Sequence, residues 1–202
     1  SQSLHALVAH VPGLKVALPS SAYEAKGLLK TAIRDNNPVV IIEDKLMYQD
    51  KASVPEEEYL IPFGKANIVR EGRDVTLVAT SSMRQVCEKA ADLLSEDGIS
   101  AEIIDPRTIV PLDETTILSS VKKTSRAIVV DEGHQSYGVA AEIASIISEK
   151  AFYHLDAPVI RMGAMDVPVP FSPVLEDLTV PTPELVAQNA RKIVFGEMIH
   201  GL

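Results

Sequence analysis

The chain of 202 residues contains no tryptophan, a single cysteine and only 4% aromatic residues. One cysteine, Cys87, rules out an internal disulfide, so packing alone must hold the fold, and a reducing compartment such as cytoplasm or an organelle matrix suits that usage. Cys87 sits at an apolar position of a helical pattern and reads as a buried packing thiol. No apolar run approaches the roughly 18 residues of a membrane helix. No run of five or more basic residues appears, and 19 basic against 28 acidic residues give a formal charge of -9. Duplex nucleic acid and anionic membrane are therefore poor partners. Short catalytic signatures are missing too: there is no GxxxxGK[ST], no GxGxxG after a strand, no GxSxG elbow and no HExxH.

What the chain does have is apolar material, 46% of its residues, enough for a substantial core in one or two domains. The first residue is not methionine, and Val8, Val11, Leu14 and Val16 arrive at once, so an N-terminally truncated record is expected. Short β-branched runs then alternate with helical patterns. Residues 15–18 read as a strand, and Ser21 with Glu24 as a capping box opening a helix that carries Ala25, Leu28, Leu29, Ala32 and Ile33 on one face. Asp35-Asn36-Asn37-Pro38 stops it. The unbroken apolar run 39–42 predicts a strand covered on both faces.

Residues 49–62 lose all periodicity, which marks a linker with Glu56, Glu57 and Glu58 as a solvated face. After Asp74 the alternation resumes, with strands at 75–79, 101–104, 127–130 and 159–160. Helices fall at 82–96, closed by Gly98, and at 113–122, 139–150 and 183–194. The expected fold class is α/β, with mostly parallel sheets flanked by helices.

Open parallel sheets place ligands beyond the carboxyl ends of their strands. Three polar stretches lie there: Thr80-Ser81-Ser82, Asp105-Pro106-Arg107-Thr108, and Asp131-Glu132-Gly133-His134-Gln135. In the last, His134 beside two carboxylates reads either as a general base or as a polar loop at an interface. Asp105 and Arg107 read as a structural ion pair, with each other or with neighbouring strands, ahead of a substrate-carboxylate site. His5 and His10 are five positions apart, about 140° around a helix, which excludes a zinc pair. His154 and His200 have no companions.

Taken together, a set of ordered stretches resembles the beta subunit of thiamine-diphosphate-dependent 2-oxo acid dehydrogenases. They are Ser1-Gln2-Ser3, His10-Val11-Pro12-Gly13-Leu14-Lys15-Val16, Ala25-Lys26-Gly27-Leu28-Leu29 and Ala32-Ile33-Arg34-Asp35-Asn36-Asn37-Pro38. Ile61-Pro62-Phe63-Gly64-Lys65-Ala66, Glu71-Gly72-Arg73-Asp74, Ile104-Asp105-Pro106-Arg107-Thr108, Pro168-Val169-Pro170-Phe171 and Leu175-Glu176-Asp177 continue the match. Within that family the pyruvate and acetoin enzymes look nearest.

The resemblance implies three parts: the C-terminal part of a pyrimidine-binding domain at 1–48, a linker at 49–73, and a transketolase C-terminal-like domain at 74–202. It also implies that the active-site histidine and the cofactor-activating glutamate lie upstream of Ser1, and that an alpha subunit handles the diphosphate and magnesium. This stretch then contributes no catalytic and no cofactor-binding residue, and on its own is expected to be inactive. A potassium site is implied at Ala32, through its carbonyl, with Asp35 and Asn37. A helix C-terminus finished by Asp-Asn-Asn-Pro accounts for the same residues. Implied partners are the alpha subunit, a second beta subunit and the lipoyl acyltransferase core, with Glu184 as the acidic match for docking the last. The tail beyond Phe195 is longer than expected, which tells against a terminal-carboxylate contact. The alternative readings are the C-terminal half of a transketolase or deoxyxylulose phosphate synthase, and a non-catalytic assembly module.

Overall fold

The computed structural model describes residues 2–196, so Ser1 of the first resemblance motif, the tail after Gly196 and His200 lie outside the described residues. The elements are α1 (His5–Ala9), β1 (Lys15–Ala17), α2 (Ala22–Arg34), β2 (Val39–Ile41), β3 (Asn67–Arg70), β4 (Val75–Ala79), α3 (Met83–Glu96), β5 (Ala101–Asp105) and β6 (Thr108–Val110). They continue as α4 (Glu114–Thr124), β7 (Ala127–His134), α5 (Val139–Lys150), β8 (Ile160–Ala164), α6 (Pro173–Glu176) and α7 (Pro183–Phe195). No described helix is long and apolar enough to cross a membrane.

Two sheets form, a five-stranded one in the order β3-β5-β4-β7-β8 and a three-stranded one in the order β2-β1-β6. In the larger sheet β4 pairs in parallel with both β5 and β7, and β7 with β8. Every residue of β4 and β5 is buried, including the polar Thr76, Glu102 and Asp105, as central strands covered on both faces require. Alternation divides β4 between two layers: Val75, Leu77 and Ala79 pack with Cys87, Leu94, Val186 and Ala190 of α3 and α7, while Val78 packs with Ile117, Val121, Ile143 and Ile147 of α4 and α5. Each fully buried aliphatic side chain contributes about 1.5–3 kcal/mol. Thr76, forced inward on the second face, is met at 2.7 Å by both Ser120 and Thr124.

Local signals act as their chemistry dictates. Gly98 takes φ +76°, and the Gly98 and Ile99 amides donate to the Ser95 and Leu94 carbonyls at 3.1 and 3.0 Å, closing α3. Ser21 Oγ accepts from the Glu24 amide at 3.3 Å. The second half of that capping box is absent, because the Glu24 carboxylate turns to Ser20 and Arg107 instead.

Two expectations need correcting. Leu28 is fully buried, but Leu29 is 50% and Ile33 73% exposed. The helix seats its Glu24, Gly27 and Leu28 side, and Leu29 is turned about 100° away from Leu28. Likewise β2 is half-buried rather than covered on both faces, since it is the edge of the smaller sheet. Two strands escaped sequence reading. β3, inside the stretch 49–73, is an antiparallel edge on β5, and β6 pairs antiparallel with β1 in the other sheet.

The aperiodic segment before β3 is strapped onto α2. Lys26 donates to the Glu57 carbonyl at 3.0 Å, Tyr59 stacks on Tyr23 with centroids 4.4 Å apart, and Thr31 Oγ1 donates to the Ile61 carbonyl at 2.8 Å. Glu56, Glu57 and Glu58 are exposed, as expected. Gly27 permits this approach: a Cβ there would lie 2.6 Å from Ile61 Cγ1 and 2.9 Å from the Tyr59 ring. Gly27→Ala is expected to cost about 1–3 kcal/mol by overpacking and to expose 50–60 to proteases. Urea unfolding and limited proteolysis check this; unchanged stability and cleavage would show that the strap is not seated there.

Candidate functional site

Beyond the carboxyl ends of β4 and β7 lies a cleft of about 800 Å³, whose lining includes Ser3, His5, Asp44, Thr80, Ser82 and Glu132. Two of the three polar stretches picked out in the sequence, 80–82 and 131–134, thus meet in one place. The third lies elsewhere.

Asp131 organises the cleft floor. Fully buried, it accepts the Thr80 hydroxyl at Oδ1 and meets His5 Nε2 at 2.9 Å through Oδ2. His5 is 4% exposed and comes from α1, 126 residues away in sequence. Gly133 leaves room for the pair, since a Cβ there would lie 2.8 Å from Asp131 Oδ2 and 3.2 Å from His5 Nε2. Burial opposes the imidazolium, but the hydrogen bond and charge of Asp131, with the charge of Glu132, outweigh it and raise His5 above its ordinary value. Glu132 is raised as well, first by burial and then by the negative charge of Asp44. The cleft wall therefore holds a carboxylate-oriented histidine whose protonated form is favoured by Asp131.

His134 is not that histidine. Its Nδ1 lies 2.8 Å from the Met165 carbonyl oxygen. His134 lines the same cleft, but the β7–β8 register breaks between Val130 and His134. Sequence reading overlooked His5 in this role because it was tested only as a zinc partner of His10, which is exposed.

Asp105 and Arg107 do not pair through their side chains. Arg107 Nε donates to Glu24 Oε1 of α2 at 2.8 Å, while the Arg107 amide donates to Asp105 Oδ1 at 2.7 Å. Arg107 takes φ +58°, turning the chain between β5 and β6. Cys87 is fully buried, and burial pushes its thiol up, as a packing cysteine requires.

Ala32, Asp35 and Asn37 gather at the C-terminus of α2. The Asp35 amide donates to the Ala32 carbonyl at 3.1 Å, and Asp35 Oδ1 accepts from the backbone and side-chain amides of Asn37, each at 2.9 Å. Asp35 Oδ2 lies 2.5 Å from Lys15 Nζ, and Lys15 together with Asn37 holds the carboxyl down at about 2. Glu184 is exposed in the first turn of α7, after the Thr182 cap. His154 is exposed.

Among the described residues no group of three or more His, Cys, Asp or Glu side chains is placed to hold a metal ion. The cleft's lining includes Glu43, Asp44, Asp131, Glu132, Glu176 and Asp177, which repels a diphosphate. These six carboxylates outnumber the lining's Lys45 and Lys89, an excess of negative charge that does not suit the diphosphate of a thiamine cofactor.

Residues 64–186 match the family model for the transketolase C-terminal domain, and residues 1–51 the model for the transketolase pyrimidine-binding domain. The chain belongs to the transketolase C-terminal domain family. Among characterised proteins it is 50% identical over 186 residues to the beta subunit of acetoin:2,6-dichlorophenolindophenol oxidoreductase of Bacillus subtilis, covering 92% of this chain and 54% of that one. It is 47% identical over 195 residues to the pyruvate dehydrogenase E1 beta subunit of the same organism, covering 96% of this chain and 60% of that one. The chain thus spans a little over half the length of these relatives. A solved structure titled as a split-gene transketolase, inactive beta4 tetramer, superposes with TM-score 0.77 at 24% identity over 96% of this chain and 61% of that one, a likeness of fold.

Asp131→Asn is expected to leave burial opposing the His5 charge, so that His5, raised above 6.5 in the parent chain, titrates below it. The sign for stability follows: the contribution of the charged pair is present below pH 6.5 and lost as pH rises through the folded value. Histidine ring NMR titration of both proteins checks this, and an unshifted His5 in the variant would remove Asp131 as the cause.

Proposed function

We propose that this chain serves as part of the beta subunit of a thiamine-diphosphate-dependent dehydrogenase acting on pyruvate or acetoin, passing a two-carbon unit to a lipoyl group. The reading is carried by identity of 50% and 47% to the acetoin and pyruvate beta subunits across at least 92% of this chain, in the order of the two domain matches. Thiamine diphosphate, when bound, supplies an electron sink for carbon–carbon cleavage. An alpha subunit holds its diphosphate and magnesium, in keeping with the acidic cleft described above. This chain contributes the cleft wall and a histidine held on Asp131 for proton transfer.

Exposed apolar residues support partner surfaces for the alpha subunit and a second beta subunit. Leu29 and Ile33 repeat at helical spacing on α2, and Phe171, Val174 and Leu178 stand open around α6. Glu184 serves the acyltransferase core in this reading, as an exposed carboxylate for a basic docking domain. Cytoplasm or an organelle matrix is the proposed setting. Co-expression with an alpha subunit tests the proposal: a complex that releases a two-carbon unit from pyruvate or acetoin only with thiamine diphosphate is expected. Failure to co-purify, with no cofactor-dependent turnover of either substrate, refutes it.

Ala32, Asp35 and Asn37 are proposed as potassium ligands. Their oxygens suit a hard cation, and the negative end of the α2 dipole adds to the attraction. Potassium should raise the melting temperature more than sodium does, and Asp35→Ala should abolish the difference. Equal effects of both ions on the parent protein would dismiss the site.

A further inference from the structure

Where the two sheets meet beneath α2, Ser20 and Asp105 are fully buried and Glu24 is 3% exposed. The Ser20 hydroxyl oxygen is 2.5 Å from Glu24 Oε2 and also within hydrogen-bond reach of Asp105 Oδ2. A hydroxyl has one hydrogen and can donate to only one of them. Glu24 is well supplied with donors: the Ser20 amide reaches Oε2 at 3.1 Å and Arg107 Nε reaches Oε1 at 2.8 Å. Asp105 Oδ1 accepts from the Arg107 amide at 2.7 Å, but its Oδ2 faces Ser20 Oγ. With both carboxyls ionised, one of the two oxygen–oxygen contacts would join lone pairs in a dry site, which is strongly unfavourable. A proton on Asp105 Oδ2 resolves the geometry. Asp105 then donates to Ser20, Ser20 to Glu24, and the single remaining negative charge faces Arg107.

We propose that Ser20, Glu24 and Asp105 form a one-proton latch, in which a neutral Asp105 carboxyl fastens α2 to the end of β5 and loss of that proton loosens the two sheets. Other charged groups near the latch do not replace the proton. Arg84 of α3 donates to the Ser20 carbonyl at 3.3 Å and pairs with Glu88 at 3.4 Å. Glu102, on the same strand as Asp105, is tied to Lys123 and to the Gly72 amide. Burial, followed by the negative charge of Glu24, pushes Asp105 up to about 8. Glu24 lies below its ordinary value, because Ser20 and Arg107 outweigh the opposing effect of burial.

The folded chain thus keeps a proton up to about pH 8 that an unfolded aspartate releases at its ordinary value of 3.8. Across that window the folded state binds more protons, so stability falls as pH rises and levels off above the folded value. The latch reaches the cleft through β1: Leu18 lines the cleft, and its amide donates to the Arg107 carbonyl at 2.8 Å. It rests on side-chain geometry alone and stands whatever reaction the cleft serves.

Asp105→Asn supplies a permanently neutral group whose amide can donate to Ser20. Unfolding the full chain at pH 7 should release about one proton more from the parent than from the variant, and the parent should lose more stability than the variant between about pH 5 and 8, the His5 contribution being common to both. Equal proton release and parallel stability curves would overturn the latch. Where the variant does not fold, carboxyl carbon NMR of the parent with labelled aspartate decides: one aspartate titrating near 8 is expected. All aspartates titrating below about pH 5 would overturn the proposal.

Discussion

The antiparallel pairing of β6 with β1 is the contact on which both buried polar clusters, around Asp131 and around Asp105, depend. β5 ends at Asp105, the left-handed Arg107 redirects the chain, and Thr108–Val110 leaves the five-stranded sheet to pair with Val16 and Ala17. That crossing brings the N-terminal stretch, with α1 and α2, against the carboxyl end of the larger sheet. It sets Glu24 on Arg107 and His5 on Asp131. The apolar core crosses with it, since Val16 and Leu18 share a cluster with Ile104, Ile143 and Ile147. A chain in which β6 stayed with β5 would leave both polar clusters unassembled.

Four buried carboxyl groups show how such a joint handles acid with few bases. Asp131 is met by a histidine and a threonine, Glu102 by Lys123 and an amide, and Asp113 by the amides of Ala66 and Thr116 with the Thr116 hydroxyl. Asp105 has one backbone donor and a hydroxyl already claimed by Glu24, so neutralisation by a proton is the available route. Burying an ionised carboxyl without enough donors costs more than keeping it protonated. The environment, not the residue type, decides which acid is charged.

Most of the larger sheet was legible in the sequence because its evidence is local. Residues 75–79 and 101–104 are short, mostly apolar runs interrupted only by Thr76 and Glu102, and α3, α5 and α7 show helical spacing with their stops and caps close by. β3 and β6 were not legible. They have four and three residues, and their partners are far along the chain. The candidate site was half legible: parallel-sheet geometry pointed to 80–82 and 131–134, but no local pattern links His5 to an aspartate 126 residues away. Likewise Asp105 and Arg107 attracted attention as neighbours, while the contacts that matter come from α2.

The exposed ridges bear on the same question. Scattered apolar residues on a surface mean little, but Leu4, Leu7 and Val11 follow spacings of three and four around α1, and Leu29 and Ile33 repeat four apart on α2. Sequence reading put Leu29 and Ile33 on the apolar face of α2 with Leu28, and the described residues leave both of these ridges open. An acidic cleft that repels a diphosphate is flanked by helices whose second apolar faces stay uncovered. Both features fit a site completed by another polypeptide surface, which would supply positive charge to the cleft and cover to α1 and α2. Within the described residues this surface supplies the Asp131-held His5 and the β1–β6 joint that brings α1 to it.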